Sequence, residues 1–590
     1  MLNLWSRRPL TLAFAMGFAT GAFAQQAQLD VPMPMPAVLR NYQPVTAERL
    51  LNPEAGNWLM IRNTYDGWGY SPLDQITPQN VGRLKPLWVF STGEPRVHES
   101  APLVNNGVMF VTSPQNQVIA IDAKSGNLLW RYRRPRPAGA AVPHDTNRGV
   151  ALFGDKVYFA AGEAVLVALD AKTGKELWTT TVADNKAGYY ISLAPLVAGG
   201  KVMVGASGGE YGIRGFVAAF NLETGKEEWR CYTIPAPGEP GSETWPKGGD
   251  QWKTGGGSVW VTGNYDPATN LAYWGTGNGG PWMGDQRPGD DLYTASTIAI
   301  NVATGKIQGY FQYNPNESWD WDEVSPPILV DFQRNGRTIK GLIDVARDGY
   351  LWFLDRSKTS RDGRMGFVEG KPFVYQNVYL KLDPETGRPQ VDPARKPGTG
   401  KNAEFCPNLH GGKNWVPIAY SPKTRMIYVP ANNNLCGNLA GAPITYTPGK
   451  GYSGSQMGAA FTAPGADHFG EVQAWNVDTG QKVWTHNYAK SPNWGAMLAT
   501  GGGVVFSGGT ADRKFHAFDA ANGKLLWDFP TNSGILAPPS SFLVDGKQYI
   551  AVLTGWGGDS RGMQATLNRL YPGEFPEVPE GGAVWVFAVE

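Results

Sequence analysis

Ala120 to Trp130 reads AIDAKSGNLLW, and the phrase returns as ALDAKTGKELW ending at Trp178, AFNLETGKEEW at Trp229, AWNVDTGQKVW at Trp484 and AFDAANGKLLW at Trp527. Each copy joins a small, apolar stretch through a Ser-Gly, Thr-Gly or Asn-Gly turn to a returning strand, the sequence form of a β-hairpin. The clearest neighbours stand 48, 51 and 43 residues apart, a period that fits one four-stranded blade. Weaker copies are AINVATGKIQGY, around Gly305, and KLDPETG, around Gly387. The intervening APLVNNGVMFVTS, GVALFGDKVYFAAG, APLVAGGKVMVGAS and MLATGGGVVFSGGT supply further paired strands. The pattern predicts an all-β chain, a single eight-bladed β-propeller over residues 45–590 whose repeated tryptophans dock between blades. Radial repetition protects sheet edges and gathers loops around a central channel. Helical patterns are scarce, with 77–84 a short candidate, and the polar, Gly- and Pro-rich run from Arg356 to Cys406 reads as an excursion from the rim.

The chain has 590 residues, 52 basic and 51 acidic, and only 17% of them are charged, against roughly 25% in an average soluble protein. Nothing in that balance calls for a nucleic-acid partner. Arg7 and Arg8 precede LTLAFAMGFATGAFA, which closes on Ala22-Phe23-Ala24. This is the layout of a signal peptide over residues 1–24, followed by an N-terminal extension over 25–44. The run is short of the roughly 20 apolar residues that span a bilayer, so an exported protein without stable membrane insertion is expected. An oxidising compartment permits one disulfide among Cys231, Cys406 and Cys436. Cys406 and Cys436 flank WVPIAYSPKTRMIYVPAN, which reads as one hairpin, and Cys231 is then a buried thiol.

Asn316 to Pro327 reads NESWDWDEVSPP, with Asp320 and Asp322 two positions apart and each preceded by a tryptophan. In an extended strand such residues point to opposite faces. Both face one ion only where the backbone turns, and Ser318 and the Pro326-Pro327 pair are compatible with a turn. Two carboxylates that close repel unless a cation offsets their charge.

The Trp-ended repeats, with NTYDGWGYSPLDQI, HESAPLV, TNRG, GASGGEYGIRG, GTGN, RPGD, NESWDWD and the closing GWGGD, resemble the periplasmic quinoprotein alcohol dehydrogenases over essentially the whole mature chain. These are eight-bladed enzymes that bind pyrroloquinoline quinone (PQQ) and a metal ion. The resemblance implies oxidation of an alcohol substrate to an aldehyde or ketone. Asp320 resembles the general base and Asp322 the additional aspartate of lanthanide-dependent members. Glu210 and Asn278 resemble the other protein ligands, so the metal set is Glu210, Asn278, Asp320 and Asp322, with a lanthanide favoured and calcium the alternative. More carboxylates suit a trivalent, oxygen-seeking ion.

By the same resemblance, Glu99, Arg148, Ser192, Ser207, Gly208, Gly209 and Ser258 hold the quinone's carboxylates and carbonyls, a role for which guanidinium forks are suited. Trp260 resembles the indole beneath the cofactor ring. Arg347 resembles the basic residue near the reactive carbonyl, where positive charge stabilises an oxyanion, and Asn414 and Trp494 resemble further cofactor neighbours.

Two departures qualify the picture. The family commonly carries adjacent cysteines before its NRG motif, but this chain reads AAVPHDTNRG. The cover over the quinone must come from other atoms, with Val142, Pro143 and His144 the candidates, and the substrate is then expected to be a bulky primary or secondary alcohol in preference to methanol. No CxxCH haem motif occurs, so electrons are expected to pass to an external periplasmic cytochrome c. A metal-free propeller acting as a binding or assembly scaffold, and a quinoprotein sugar or polyol dehydrogenase, are the rival readings. The oligomeric state, a homodimer included, is left open.

Overall fold

The computed structural model describes residues 34–590; the expected signal peptide and the first part of the extension lie outside them. Among the described residues, eight sheets have at least four strands, one of them five. Seven are antiparallel throughout, and the five-stranded one gains Tyr70–Ser71 as a parallel edge. The first sheet shows the recurrent local logic. Leu103–Asn105, Val108–Ser113, Gln117–Asp122 and Leu128–Arg133 pair in sequence order. The last turn is closed by Asp122, whose Oδ1 accepts the N–H groups of Lys124 and Ser125 at 2.9 and 3.1 Å. A bulge follows, because Ala120 opposes Trp130 while Ile121 opposes Leu128, and the extra residue adds local twist.

The repeated glycine has a double cause. Gly174 has φ +69°, which favours glycine, and a Cβ there would lie 2.6 Å from Trp130 of the preceding sheet. Gly126 meets Trp88, Gly225 meets Trp178, Gly305 meets Trp229 and Gly523 meets Trp484 in the same way. The indole N–H of Trp130 bonds Ala171 O at 3.0 Å and that of Trp229 bonds Val302 O at 2.9 Å. Each indole thus covers the turn of the next sheet.

Leu84–Ser91, near the start of the described chain, pairs antiparallel with Ala583–Val589 at its end. The sheet that contains them therefore joins the first long strand of the described residues to the last. Residues 34–45 are anchored at three points: Leu39, Tyr42 and Val45 are buried, and the Tyr42 ring meets Phe110 edge-on.

Three expectations are corrected in detail. Met365–Pro372 is the outer strand of the Ile328–Arg334, Arg337–Val345, Tyr350–Thr359 sheet, so only the chain beyond Pro372 leaves that sheet. KLDPETG belongs to a separate two-stranded hairpin, Tyr379–Leu382 with Pro389–Val391; its Gly387 covers Phe367, which stands where other sheets carry tryptophan. Residues 77–84 contain only a single 3-10 turn, Val81–Arg83, whereas a 13-residue helix, Gly558–Leu570, had no strong sequence signal.

That long helix and a three-stranded sheet roof the site. The sheet comprises Ala403–Phe405, Leu435–Gly441 and Ser455–Thr462, and the Cys406–Cys436 disulfide ties two of its strands, leaving Cys231 free and buried. Met563 and Leu567 of the helix pack with Leu435, Phe469, Trp494 and Trp556.

Candidate active site

A cavity of about 290 Å³ is lined by Arg148, Ser192, Gly208, Glu210, Ser258, Trp260, Asp320, Asp322 and Arg347, with His144, Tyr190, Trp282, His410 and Asp559 among its other walls. A smaller recess beside it is lined by Glu99, Arg148, Trp415 and Trp494. Fifteen sequence-derived site residues therefore divide by position. Eleven line these two spaces. Ser207 adjoins through Ser192, their hydroxyls 3.2 Å apart. Gly209 and Asn278 adjoin through one another, since a Cβ on Gly209 would lie 3.1 Å from the Asn278 side-chain amide. Asn414 is buried and lines neither space; its amide nitrogen donates to His410 O at 3.2 Å.

The chain turns at NESWDWD. Asp320 has φ +66°, and this left-handed residue lets Asp320 and Asp322 reach the same cavity although they are two positions apart. Arg347 stands against both, with Nη1 4.0 Å from Asp320 Oδ2 and Nη2 3.6 Å from Asp322 Oδ2. Nη1 also donates to Asp320 O at 2.8 Å. Trp319 and Trp321 stack on one another at 4.9 Å, and the Trp321 N–H bonds Asn408 O at 3.0 Å. The two tryptophans are therefore anchors of the turn.

Burial, and next the Asp322 carboxylate, push the Asp320 carboxyl well above its ordinary range, with Arg347 opposing. Glu210 is raised by burial and again by Asp322. Burial would lower Arg347, but Asp322 and Asp320 together raise it. Asp320 and Asp322 thus share one close guanidinium while Glu210 lines the same cavity, a donor set that suits a hard cation. Glycines keep the space around these oxygens open: a Cβ on Gly277 would lie 2.7 Å from Asp322 Oδ1. The Asn278 amide is satisfied with its nitrogen 2.9 Å from Asp322 Oδ1 and its oxygen 2.7 Å from the Trp282 N–H. A half-turn presents the oxygen to the carboxylates.

Away from this carboxylate cluster the cavity is bounded by a buried Arg–Glu pair. Arg148 pairs with Glu99 at 2.8 Å, donates to Ser192 Oγ at 2.7 Å and to Trp260 O at 3.3 Å, and lies over the Trp260 and Trp415 rings at 4.9 and 4.4 Å. Arg347 lies 5.6 Å from the same Trp260 ring. A half-buried indole with a guanidinium near each end suits a flat, polycarboxylate ring system. The buried Nε atoms of Arg148 and Arg347 and the Trp494 indole N–H have no partner among the described residues, and carbonyl or carboxylate oxygens would satisfy them.

Of the three residues proposed as cover in place of a cysteine pair, His144 alone lines the cavity, stacking on Tyr190 at 6.5 Å. Val142 instead packs at Gly162. Sequence reasoning missed Trp282, His410 and Asp559. Asp559 sits in the first turn of the long helix, and burial would raise it, but His410, His144, Arg347 and Arg148 hold it below its ordinary range. Its signal was the GWGGD motif.

The sequence profile for the PQQ glucose/ethanol/alcohol dehydrogenase β-propeller domain matches residues 58–360 and 486–550. Quinoprotein alcohol dehydrogenase PedH of Pseudomonas putida is 37% identical over 554 residues, covering 88% of this chain and 89% of that protein. The chain belongs to the PQQ-dependent quinoprotein alcohol dehydrogenases. This quinoprotein is also 36% identical over 582 residues to the lanthanide-dependent methanol dehydrogenase of Methylacidiphilum fumariolicum, covering 92% of this chain and 94% of that one. A solved europium-containing methanol dehydrogenase superposes with a TM-score of 0.85 at 36% identity, covering 92% of this chain and all of the other. The quinoprotein's partnerless guanidinium Nε atoms, half-buried indole and carboxylate cluster fit the quinone and metal of its family. Among the described residues, no helix is long and apolar enough to cross a membrane.

Proposed function

We propose that this quinoprotein is an eight-bladed, tryptophan-docked propeller over residues 45–590, exported to the periplasm behind the 1–24 leader, that oxidises bulky primary or secondary alcohols in preference to methanol. The observation that carries the reading is the convergence of Glu210, Asp320 and Asp322 on one cavity beside Arg347 and the Trp260 face. Glu99, Arg148, Ser192, Ser207 and Ser258, with the backbone at Gly208 and Gly209, would hold PQQ, and Trp494 would donate its free N–H to it. Asn414 would act through His410. Glu210, Asn278, Asp320 and Asp322 would hold the metal, a lanthanide before calcium, because Asp322 adds a negative charge to the set.

When bound, the quinone supplies a two-electron acceptor and the metal polarises it as a Lewis acid. Asp320 takes the proton from the alcohol hydroxyl as general base. Arg347 fixes that residue through its carbonyl and places positive charge beside the reacting centre. Tyr190, Trp282 and Trp260 limit water access with their ring faces. Electrons leave to an external cytochrome c.

The test is reconstitution of the purified apo-protein with PQQ and either a light lanthanide or calcium, followed by kcat/KM on alcohols from methanol to aromatic and cyclic secondary alcohols with an artificial acceptor. Turnover that needs PQQ and is greater with the lanthanide is expected. A kcat/KM maximum at methanol would defeat the substrate preference, and failure to bind PQQ with either metal would favour a scaffold.

A further inference from the structure

The active-site cavity has a neighbour. His410, Leu409 and Met457 line it, and the same three residues line a second space of about 410 Å³. The second space lies between the three-stranded roof, through Ala459 and Ala460, and the Gly558–Leu570 helix, through Met563, Thr566 and Leu570. Its character differs from that of the first. No carboxylate lines it, and its polar walls are Asn408, Asn438, His410, Thr566 and Arg569 among mostly apolar neighbours, whereas Glu210, Asp320, Asp322 and Asp559 line the first.

The partition between the two has a fixed part and a movable one. Asn408 to His410 is held by the Trp321 N–H on Asn408 O at 3.0 Å, by Asn408 N on Leu435 O at 2.9 Å, and by the Asn414 amide on His410 O at 3.2 Å. The Cys406–Cys436 disulfide secures the same segment two residues earlier. Met457 is 62% exposed and sits on the outer strand of the roof sheet. An unbranched thioether side chain re-packs readily around apolar groups, so passage between the spaces lies over Met457.

We propose that the second space receives the hydrocarbon tail of the substrate, so that the chain selects primary alcohols with long, unbranched apolar chains over short alcohols and polyols. The inference rests on the reading of the first cavity as the alcohol-oxidising site. With the hydroxyl at Asp320, a short alcohol occupies only the polar cavity, while a longer chain continues past Met457 and buries each added methylene against Met563, Leu570 and the roof alanines. A polyol gains less there than a hydrocarbon tail, because Asn408, Asn438, Thr566 and Arg569 offer only a few partners in a wall that is otherwise mostly apolar, and hydroxyls left without a partner lose water at a cost.

The protein reconstituted with PQQ and a lanthanide is assayed with ethanol, butanol, hexanol, octanol and 1,2,6-hexanetriol. kcat/KM should rise roughly fourfold per methylene while the tail is being buried, and the triol should fall below hexanol. Ala460→Trp and Thr566→Trp fill the second space from opposite walls, so one serves if the other does not fold; each should lower the octanol-to-ethanol ratio at least about tenfold. In the cofactor-free protein, octanol but not ethanol should protect Met457 from peroxide oxidation, read by peptide mass. A flat chain-length profile, or an unchanged ratio in a folded variant with Met457 unprotected, overturns the proposal. Absence of turnover on every alcohol, ethanol included, overturns instead the reading of the first cavity, and the tail assignment with it.

Discussion

Trp260 donates its indole N–H to Asp322 Oδ2 at 2.8 Å. The residue proposed to offer a flat face to the cofactor is therefore also a partner of a carboxylate proposed to hold the metal. Trp260→Phe keeps an aromatic face and removes only that donor. The metal concentration for half-maximal activity at saturating PQQ should rise about tenfold, the usual scale for a lost partner of a ligand. An unchanged metal titration would separate the two halves of the site.

Asp320→Asn should fold, because asparagine tolerates the φ of +66° found there. Alcohol oxidation should fall by about a hundred- to ten-thousandfold with loss of the base. Circular dichroism and PQQ absorbance establish folding and loading before the rate is read; normal turnover by the loaded variant would remove Asp320 from the role.

Asp322 accepts from Trp260 and from the backbone N–H of Asn278. Asp322→Ala should weaken activation by a lanthanide more than activation by calcium, shifting the ratio of their half-saturating concentrations by about tenfold or more. Equal shifts for the two ions would assign Asp322 a purely structural task.

The same stretch shows what could be read from residues alone. Glycine-turn repeats 43 to 51 residues apart announced the propeller, because each repeat unit contains its own hairpin. The pairing of Asp320 with Asp322 was visible, but the left-handed backbone that makes it workable was not. The Gly558–Leu570 helix was hidden for a physical reason: it has glycines at 558 and 562, no side-chain cap, and only Met563 and Leu567 as buried large apolar residues. Asp559 and His410 escaped with it, since their proximity depends on how the roof packs.

His98 is fully buried, its Nε2 2.7 Å from Thr92 Oγ1, and burial pushes its pKa down to about 4. The native state keeps it neutral while the unfolded chain takes up a proton below about 6.5. Stability from this residue is thus present at neutral pH and is lost as pH falls from about 6.5 towards 4. Between pH 7 and 5 the loss should be about 2 kcal/mol. Urea unfolding of His98→Gln at the two pH values should show a correspondingly smaller difference than the parent protein.

Gly174→Ala forces a Cβ to within 2.6 Å of Trp130 at a φ of +69°. It should cost about 1–3 kcal/mol of stability, read as a lower denaturant midpoint. Gly154→Ala, also at positive φ but with open space around its Cβ, should cost less, and equal losses would mean that backbone conformation alone sets the penalty.

The pairing of Leu84–Ser91 with Ala583–Val589 has a consequence in time. During synthesis, at rates of about 5–20 residues per second, the earlier strand waits roughly 25–100 s for its partner. Through that interval its backbone is an open edge, with Leu87 and Val89 exposed even in the finished ring, and open edges invite pairing with other chains. The nascent protein is therefore most vulnerable to aggregation before its last seven strand residues emerge, and a chaperone that shields the first strand would raise its yield more than one acting on the completed fold.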